Sequence, residues 1–340
     1  MPLRFSILDQ SPVSEGQTAQ QALADTVRLA QHAEEWGYTR FWVSEHHDAK
    51  TLAGSSPEIL ISHIGARTKS IRLGSGGVML PHYSAFKVAE NFNLLESLYP
   101  GRIDAGVGRA PGGMPRASFA LSNGRLRDAG RFPAQLDELR MYLENSIPKS
   151  HDYYGMKATP MPPQAPPVWL LGSGAGSAQL AAEKGLPYMF AHFINGEGGQ
   201  EFTARYRENF LPHQGNGPYT AFAIFAVCQE TNEQAEYIAS SLDLSLAMGA
   251  QAMPSDGTPP PDRAIVYEYS KFEKLLVAEN RRRMVVGDPV QVVDQMEALG
   301  EEYGADEVMI VSVAHDFNDK LTTFRLIAEE MKKRISEKKQ

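Results

Sequence analysis

Three consecutive polar residues, Glu45-His46-His47, directly follow a predicted strand at Arg40–Ser44 and could carry chemistry. Side chains alternate along a strand, so Glu45 and His47 should share one face and His46 should lie on the other. Two histidines that bind one metal ion would need to be two residues apart on a strand or four apart on a helix, which argues against a metal site. We interpret one of the two imidazoles, pointing into the barrel, as a hydrogen-bond donor or acid/base; the alternative is a histidine that only bonds the backbone at a strand end.

Glycines cluster after the third predicted strand, Ile71–Gly74, in the run Gly74-Ser75-Gly76-Gly77. Three glycines at a strand end indicate that a flat group approaches the backbone closely. A β-bulge or tight packing between strands is the alternative interpretation of the same residues.

Two further strand ends carry residues suited to an anion. Arg109 follows the fourth predicted strand, Arg102–Val107, and the run Gly172-Ser173-Gly174-Ala175-Gly176-Ser177 follows the fifth and leads into a helix. Backbone N–H groups and hydroxyls at a helix N-terminus bind phosphate, and an arginine beside them would clamp it. Together they predict a phosphorylated ligand; the alternative is a turn with a helix cap.

The elements that position these residues alternate between short apolar runs and amphipathic stretches. We predict eight strands: Leu3–Leu8, Arg40–Ser44, Ile71–Gly74, Arg102–Val107, Val168–Leu171, Pro187–Ala191, Ala221–Val227 and Glu307–Ser312. Eight strands alternating with helices favour an α/β fold of the (β/α)8 TIM-barrel type, whose sites lie at the carboxyl ends of the strands. A doubly wound sheet is the competitor, but no glycine-rich fingerprint follows the first strand.

The predicted barrel occupies the whole chain, residues 1–340, as one domain. Two segments exceed ordinary connections: 110–132 after the fourth strand, predicted to be a long loop, and 249–285 after the seventh, a candidate lid. In a barrel both would lie at the face that carries the site.

Composition limits the class of protein. The 340 residues include 33 Lys and Arg against 41 Asp and Glu, a net charge of −8 that disfavours nucleic acid and anionic membranes as partners. The single cysteine, Cys228, excludes an internal disulfide and is interpreted as a buried structural residue. No apolar stretch of the kind needed for a secretion signal or a bilayer span is evident, so we expect a cytoplasmic protein.

Several motifs together resemble the bacterial luciferase-like flavin monooxygenase family. They are listed here in chain order: Glu45-His46-His47, Gly74–Pro81, Gly101–Arg109, Gly172-Ser173, Gly185-Leu186-Pro187, Ile194-Asn195, Val286–Pro289 and Gly304–Glu307. The resemblance covers nearly the whole chain. It implies a (β/α)8 barrel that binds reduced FMN, which reacts with O2 to give a C4a-hydroperoxide that oxygenates a small organic substrate.

The resemblance also implies roles for single residues. His46 matches the histidine that supports the flavin–oxygen intermediate, and Glu45 precedes it in the same motif as a cofactor-binding residue. Residues of the phosphate site are implied at Arg109, Gly172, Ser173 and Ser177. Gly76 and Gly77 match a non-proline cis peptide under the flavin ring, and His192 occupies the position of an aromatic residue beside that ring.

Other members of the family leave alternatives open. An F420-dependent oxidoreductase would transfer hydride without O2, and a non-catalytic flavin-binding protein would hold oxidised FMN without turnover. Because no NAD(P)H fingerprint is recognisable, we expect a separate flavin reductase to supply reduced FMN. The resemblance makes a homodimer possible, and the sequence does not identify the organic substrate.

Overall fold

The computed structural model describes residues 3–125 and 128–337, and its central element is a closed parallel barrel. The strands, in chain order, are β1 Arg4–Asp9, β2 Arg40–Val43, β3 Arg72–Ser75, β4 Val78–Met79, β5 Ile103–Gly108, β6 Val168–Gly172, β7 Tyr188–Ala191, β8 Thr220–Cys228, β9 Met284–Gly287 and β10 Glu307–Val311. Eight of them close the ring in the order β1-β2-β3-β5-β6-β7-β8-β10, with β10 pairing both β8 and β1. The predicted (β/α)8 fold is confirmed.

Helices connect the strands and cover the outside of the ring. They are α1 Ala19–Trp36, α2 Pro57–Gly65, α3 Ala85–Leu98, α4 Pro115–Leu121, α5 Phe132–Leu143, α6 Ala175–Lys184, α7 Gly199–Glu208, α8 Asn232–Ala250, α9 Pro261–Ile265, α10 Lys271–Arg281, α11 Pro289–Glu302 and α12 Phe317–Glu337. In the part of the chain that the structure describes, none of these helices is long and apolar enough to cross a membrane.

Local sequence signals fix the ends of α1. The Thr18 side chain accepts from the Gln21 N–H, and the Gln21 side chain accepts from the Thr18 N–H, which together form a capping box. Gly37 ends the helix with φ 84°, a left-handed conformation that glycine adopts without a steric cost, and its N–H donates to the carbonyls of the last turn.

Two short strands lie outside the ring. After the cis peptide bond between Gly76 and Gly77, β4 continues alongside the carboxyl end of β5. β9 pairs with Phe225–Cys228, the second half of β8. Their positions show that β5 and β8 extend beyond the ring, where they support connections at its carboxyl face.

The two long segments contain more regular structure than predicted. The 110–132 segment, predicted to be a loop, holds the seven-residue helix α4, which begins with Pro115 in its first turn. A proline in the first turn costs no hydrogen bond, because the N–H that it lacks would have no partner within the helix. Such a proline is therefore compatible with the start of a helix. The 249–285 segment contains the end of α8, then α9, α10 and the first residues of β9.

Charged residues fill the amino end of the barrel. Arg40, at the start of β2, donates to Glu307 Oε1 at 2.9 Å and to Asp104 Oδ2 at 2.9 Å. Tyr219 and Ser6 also donate to Glu307, and all of these side chains except Tyr219 are buried. The acids and Arg40 therefore compensate one another, which a charge removed from water requires.

Candidate functional site

A cavity of about 500 Å³ opens at the carboxyl ends of the strands. Its inner part is apolar and is built from one side chain on each of five strands: Leu8, Trp42, Met189, Ala223 and Met309. These residues pack together in the interior of the barrel, on the carboxyl side of the charged residues at its amino end. The volume and the apolar lining are typical of a site for a small molecule or cofactor.

Gly76 and Gly77 form one wall of this cavity, and the peptide bond between them is cis. A Cβ on Gly76 would lie 2.5 Å from Leu8 Cδ1, and one on Gly77 would lie 2.9 Å from the Gly106 carbonyl oxygen. A side chain on Gly77 would therefore require the backbone to move, whereas one on Gly76 would require a shift of the end of the Leu8 side chain. The wall exposes flat backbone to the cavity, as the glycine run predicts.

The predicted anion-binding residues meet at another part of the same cavity. Gly172, Ser173 and Ser177 line it beside the first turn of α6, and Arg109 lines it from the end of β5. Among the residues that the structure describes, no side chain comes within 4 Å of a Cβ placed on Gly174 or Gly176, so the backbone there is open. The positive end of a ten-residue helix and an arginine thus border one cavity.

Hydrogen bonds hold the turn before α6 in shape. Ser177 Oγ donates to the Gly174 carbonyl at 2.7 Å, and Asn195 Nδ2 donates to the Ser173 carbonyl at 2.9 Å. Asn195 lies in the connection after β7, a neighbouring strand. The cradle is therefore shaped by contacts within the turn and by the next connection around the barrel.

His46 does not line the cavity, although it follows the strand whose Trp42 does. Its Nδ1 lies 3.0 Å from Ser44 Oγ, and its backbone N–H donates to the Gly54 carbonyl at 2.8 Å. Burial, with a smaller contribution from His47, lowers the pKa of His46 to about 4. The imidazole is consequently neutral at pH 7, in which state it can donate or accept a hydrogen bond.

Glu45 is 1% exposed and also does not border the cavity. Its Oε2 accepts from the Met79 backbone N–H at 3.0 Å, and its Oε1 accepts from the Tyr83 hydroxyl at 2.7 Å. His47 Nε2 lies 2.7 Å from the same Oε1. Glu45 therefore pairs with His47, while Ser44 pairs with His46.

His192 lies outside the cavity, while its neighbours Ala191 and Phe193 line it. The side chain is buried, and its Nδ1 lies 2.9 Å from the Tyr303 hydroxyl. Burial is the main reason that the pKa of His192 is lowered to about 4. This geometry does not support the predicted contact between His192 and a flavin ring; Phe193 is the nearer aromatic residue to the cavity.

Sequence reasoning did not single out several cavity residues. They are Leu8, Trp42, Ala110, Pro111, Leu171, Met189, Phe193, Ala223 and Met309. Most lie on a strand or just after one, so the barrel prediction itself was the signal that could have found them. Apolar side chains at strand ends resemble ordinary core residues in a sequence.

The 249–285 segment contacts connections at the same end of the barrel. Thr258 exchanges backbone hydrogen bonds with Val13 and Glu15 after β1, and its carbonyl oxygen lies 2.9 Å from His315 Nδ1 after β10. Arg283 donates to the Phe193 carbonyl at 3.3 Å. The segment is therefore positioned on the side of the barrel where a lid would act, and its opening and closing remain a prediction.

Across residues 3–125 and 128–337, no group of three or more His, Cys, Asp or Glu side chains is arranged to hold a metal ion. Cys228 is buried, and burial raises the pKa of its thiol to about 12. The groups that line the cavity are thus apolar side chains, exposed backbone, the hydroxyls of Ser173 and Ser177, and the guanidinium of Arg109.

The sequence of this chain is similar to those of known proteins. Residues 3–307 match the family model described as luciferase-like monooxygenase. The uncharacterized protein YwcH of Bacillus subtilis (strain 168) is 54% identical over 326 residues, covering 96% of this chain and 98% of that protein. The N-acetyl-S-alkylcysteine monooxygenase of the same organism is 36% identical, with coverage of 96% and 98%.

Solved structures share the fold. Apo-MsnO8 superposes with a TM-score of 0.87 at 34% identity, covering 97% of this chain and 99% of that one. More distant barrels include the oxygenating constituent of 3,6-diketocamphane monooxygenase from Pseudomonas putida in complex with FMN, with a TM-score of 0.70, 17% identity and 97% coverage of each chain. They also include an F420-dependent secondary alcohol dehydrogenase, with a TM-score of 0.67, 15% identity and coverage of 97% and 99%. At these identities the last two show the fold alone. The match over residues 3–307 and the extensive identity to YwcH establish that the chain belongs to the luciferase-like monooxygenase family.

Proposed function

We propose that the chain is an FMN-dependent monooxygenase that oxygenates a small organic substrate. The observation that carries the proposal is the combination, in one cavity, of an anion cradle and a flat glycine wall. Arg109 and the Gly172–Ser177 turn suit a terminal phosphate, while Gly76 and Gly77 suit a planar ring. A volume of about 500 Å³ is in the range of sites that hold a cofactor of this size.

The residues present fit FMN in charge and shape. Arg109 and the N-terminus of α6 would hold its phosphate, and the wall at Gly76–Gly77 with the apolar residues Trp42 and Met309 would hold its ring. Bound in reduced form, FMN supplies two electrons for the reaction with O2, in which one oxygen atom enters the substrate and the other leaves as water. The apolar inner lining would exclude bulk water from that reaction.

The neutral His46 imidazole is the candidate catalytic residue of the proposal. It lies in the connection after β2, four residues beyond Trp42, which lines the cavity. A neutral imidazole can donate one hydrogen bond and accept another, so it can stabilise an oxygen-bearing group or pass on a proton. The relative named N-acetyl-S-alkylcysteine monooxygenase supports monooxygenation and makes thioethers a substrate class worth testing.

Anaerobic titration of the purified protein with reduced FMN tests the proposal. We expect saturable binding, followed on admission of air by substrate-dependent oxygen uptake with long-chain aldehydes, ketones, aromatic compounds or N-acetylated thioethers. Reduced F420 in place of FMN is the competing arm. Hydride transfer from F420 without oxygen uptake, or tight binding of oxidised FMN without turnover of any substrate, would contradict the proposal.

The source of electrons is tested in the same assay. We propose that a separate reductase supplies reduced FMN, so NADH or NADPH added with this chain and FMN alone should not be oxidised. Addition of a flavin reductase should restore oxygen uptake. Rapid NAD(P)H oxidation by the chain itself would reject the separate reductase.

A further inference from the structure

Glu45 connects three of the segments that surround the cavity. It follows β2, while Met79 and Tyr83, whose groups donate to it, lie in and just after β4. His47, the remaining partner, is itself bonded to the connection after β5, because its backbone N–H donates to the Gly112 carbonyl at 2.8 Å. One buried carboxyl group therefore links the ends of β2, β4 and β5.

The linked segments form much of one cavity wall. Met79 lines the cavity two residues after the cis Gly76–Gly77 peptide, and Arg109, Ala110 and Pro111 line it from the β5 connection. His82 Nε2 donates to the Pro111 carbonyl at 2.8 Å and so ties the β4 connection to the same segment. Glu45 lies behind this wall without reaching the cavity.

The packing behind the wall leaves little room for adjustment. Gly112 has φ 66°, and a Cβ placed there would lie 2.9 Å from Met79 Cγ. A Cβ on Gly113 would lie 2.7 Å from the His47 carbonyl oxygen. Displacement of Met79 or His47 would therefore be transmitted to the segment that carries Arg109.

We infer that Glu45 is a positioning residue that holds the wall formed by Gly76–Met79 and Arg109–Pro111 in the geometry that binds a flavin ring. The inference rests on the proposed flavin site and assigns Glu45 a role behind that site instead of direct contact with the cofactor. A carboxylate accepts at both oxygens, whereas glutamine accepts at one and donates from the other terminus. Glu45→Gln therefore keeps the volume of the side chain but loses an acceptor for either the Met79 N–H or the pair of Tyr83 and His47.

Hydrogen exchange in the ligand-free protein tests the inference independently of any flavin. Glu45→Gln should speed exchange of the Met79 amide and of the 108–114 segment by about tenfold, the effect of losing one charge-assisted hydrogen bond. Glu96→Gln is the matched control, because Glu96 is also a buried acid that accepts backbone N–H bonds, from Gly101 and Ile103 near the start of β5. It should leave exchange at Met79 unchanged.

Flavin binding gives the second readout. Glu45→Gln should weaken riboflavin by about tenfold and FMN by at least as much, because the loosened wall includes Gly76–Met79 beside the ring and also the segment that carries Arg109. Tyr83→Phe, which removes one donor and keeps the carboxylate, is a milder variant that tests the same network if Glu45→Gln folds poorly; we expect an effect of the same kind and smaller size.

The outcomes separate the inference from the proposed function. Exchange at Met79 that is unchanged in both Glu45→Gln and Tyr83→Phe, or a loss confined to FMN, would overturn the positioning role. Wild-type protein that binds neither riboflavin nor FMN would overturn the proposed function. If exchange at Met79 still rises in that case, Glu45 positions the wall of a cavity with a different ligand, and its assignment to a flavin ring is rejected.

Discussion

Gly172 and Ser177 pack so closely that a Cβ on the glycine would lie 2.2 Å from the serine Oγ. Because Ser177 is in the first turn of α6, its position and the shape of the anion cradle depend on the missing side chain at Gly172. Gly172→Ala should displace this turn, and overpacking of this kind costs about 1–3 kcal/mol. Equilibrium binding should show FMN affinity falling about tenfold or more, with a smaller loss for riboflavin.

Gly217→Ala is the control for that substitution, since a Cβ there meets no atom of the described residues within 4 Å apart from its two neighbours in the chain. It should bind both flavins as the wild type does. Equal affinity of the Gly172→Ala variant and wild type for FMN would show that the turn does not hold the phosphate.

Arg109→Ala should weaken FMN far more than riboflavin, because only FMN carries the phosphate that the guanidinium would bind. A hydrogen bond to a charged group contributes about 1.5–3 kcal/mol, which corresponds to a loss of about 10–100-fold in affinity. Isothermal titration with each flavin measures the difference. Arg116→Ala, an exposed arginine on α4, is the control and should change neither affinity. Identical losses for the two flavins would remove Arg109 from the phosphate site.

His46→Ala should leave FMN binding nearly intact and reduce oxygenation by about 10²–10⁴-fold, the usual contribution of a positioned acid or base. Stopped-flow spectra and the yield of oxygenated product per FMN oxidised measure the two effects separately. Because the pKa of His46 is about 4, wild-type activity should show no inflection from this group near pH 6.5. His63→Ala, on the exposed side of α2, is the control. Wild-type turnover in the His46 variant would make His46 a structural residue.

His192 should make folding stability depend on pH. The pKa of an exposed histidine is 6.5, and burial lowers the pKa of His192 to about 4 in the folded protein, so the unfolded chain binds the proton more readily below pH 6.5. The contribution of neutral His192 to the free energy of unfolding is fully present above pH 6.5 and is lost as the pH falls through about 4. Urea unfolding at pH 7 and pH 5 should show a decrease in the free energy of unfolding that is smaller by about 1–2 kcal/mol in His192→Gln, while His46, whose pKa is also lowered to about 4, still contributes in both proteins. The same pH dependence in wild type and variant would contradict this assignment.

The strand prediction succeeded because burial on both faces produces short apolar runs, whose bounds agree with the structure to within one or two residues. His192 shows where that reasoning stops. β7 ends at Ala191, and the chain then turns, with the His192 N–H donating to the Phe190 carbonyl at 3.0 Å. Strand alternation no longer applies beyond Ala191, so the direction of His192 could not be read from its spacing.

Glu45 shows a second limit. The sequence marked it as one of three polar residues, but its partners Met79 and Tyr83 are 34 and 38 residues away along the chain. Contacts at such separation depend on how β2, β3 and β4 are arranged around the barrel. α4 was missed for a different reason, since its seven residues are too few for helical periodicity to be recognised.

The buried charges of Arg40, Asp104 and Glu307 affect how ligands enter and leave the cavity. They occupy the amino end of the barrel with buried side chains, so in the described part of the chain the cavity opens toward the carboxyl end. Two ligands that enter the cavity through the same opening cannot pass one another within it. Whichever sits deeper must arrive first and depart last, and an excess of the outer ligand should slow both the arrival and the escape of the inner one.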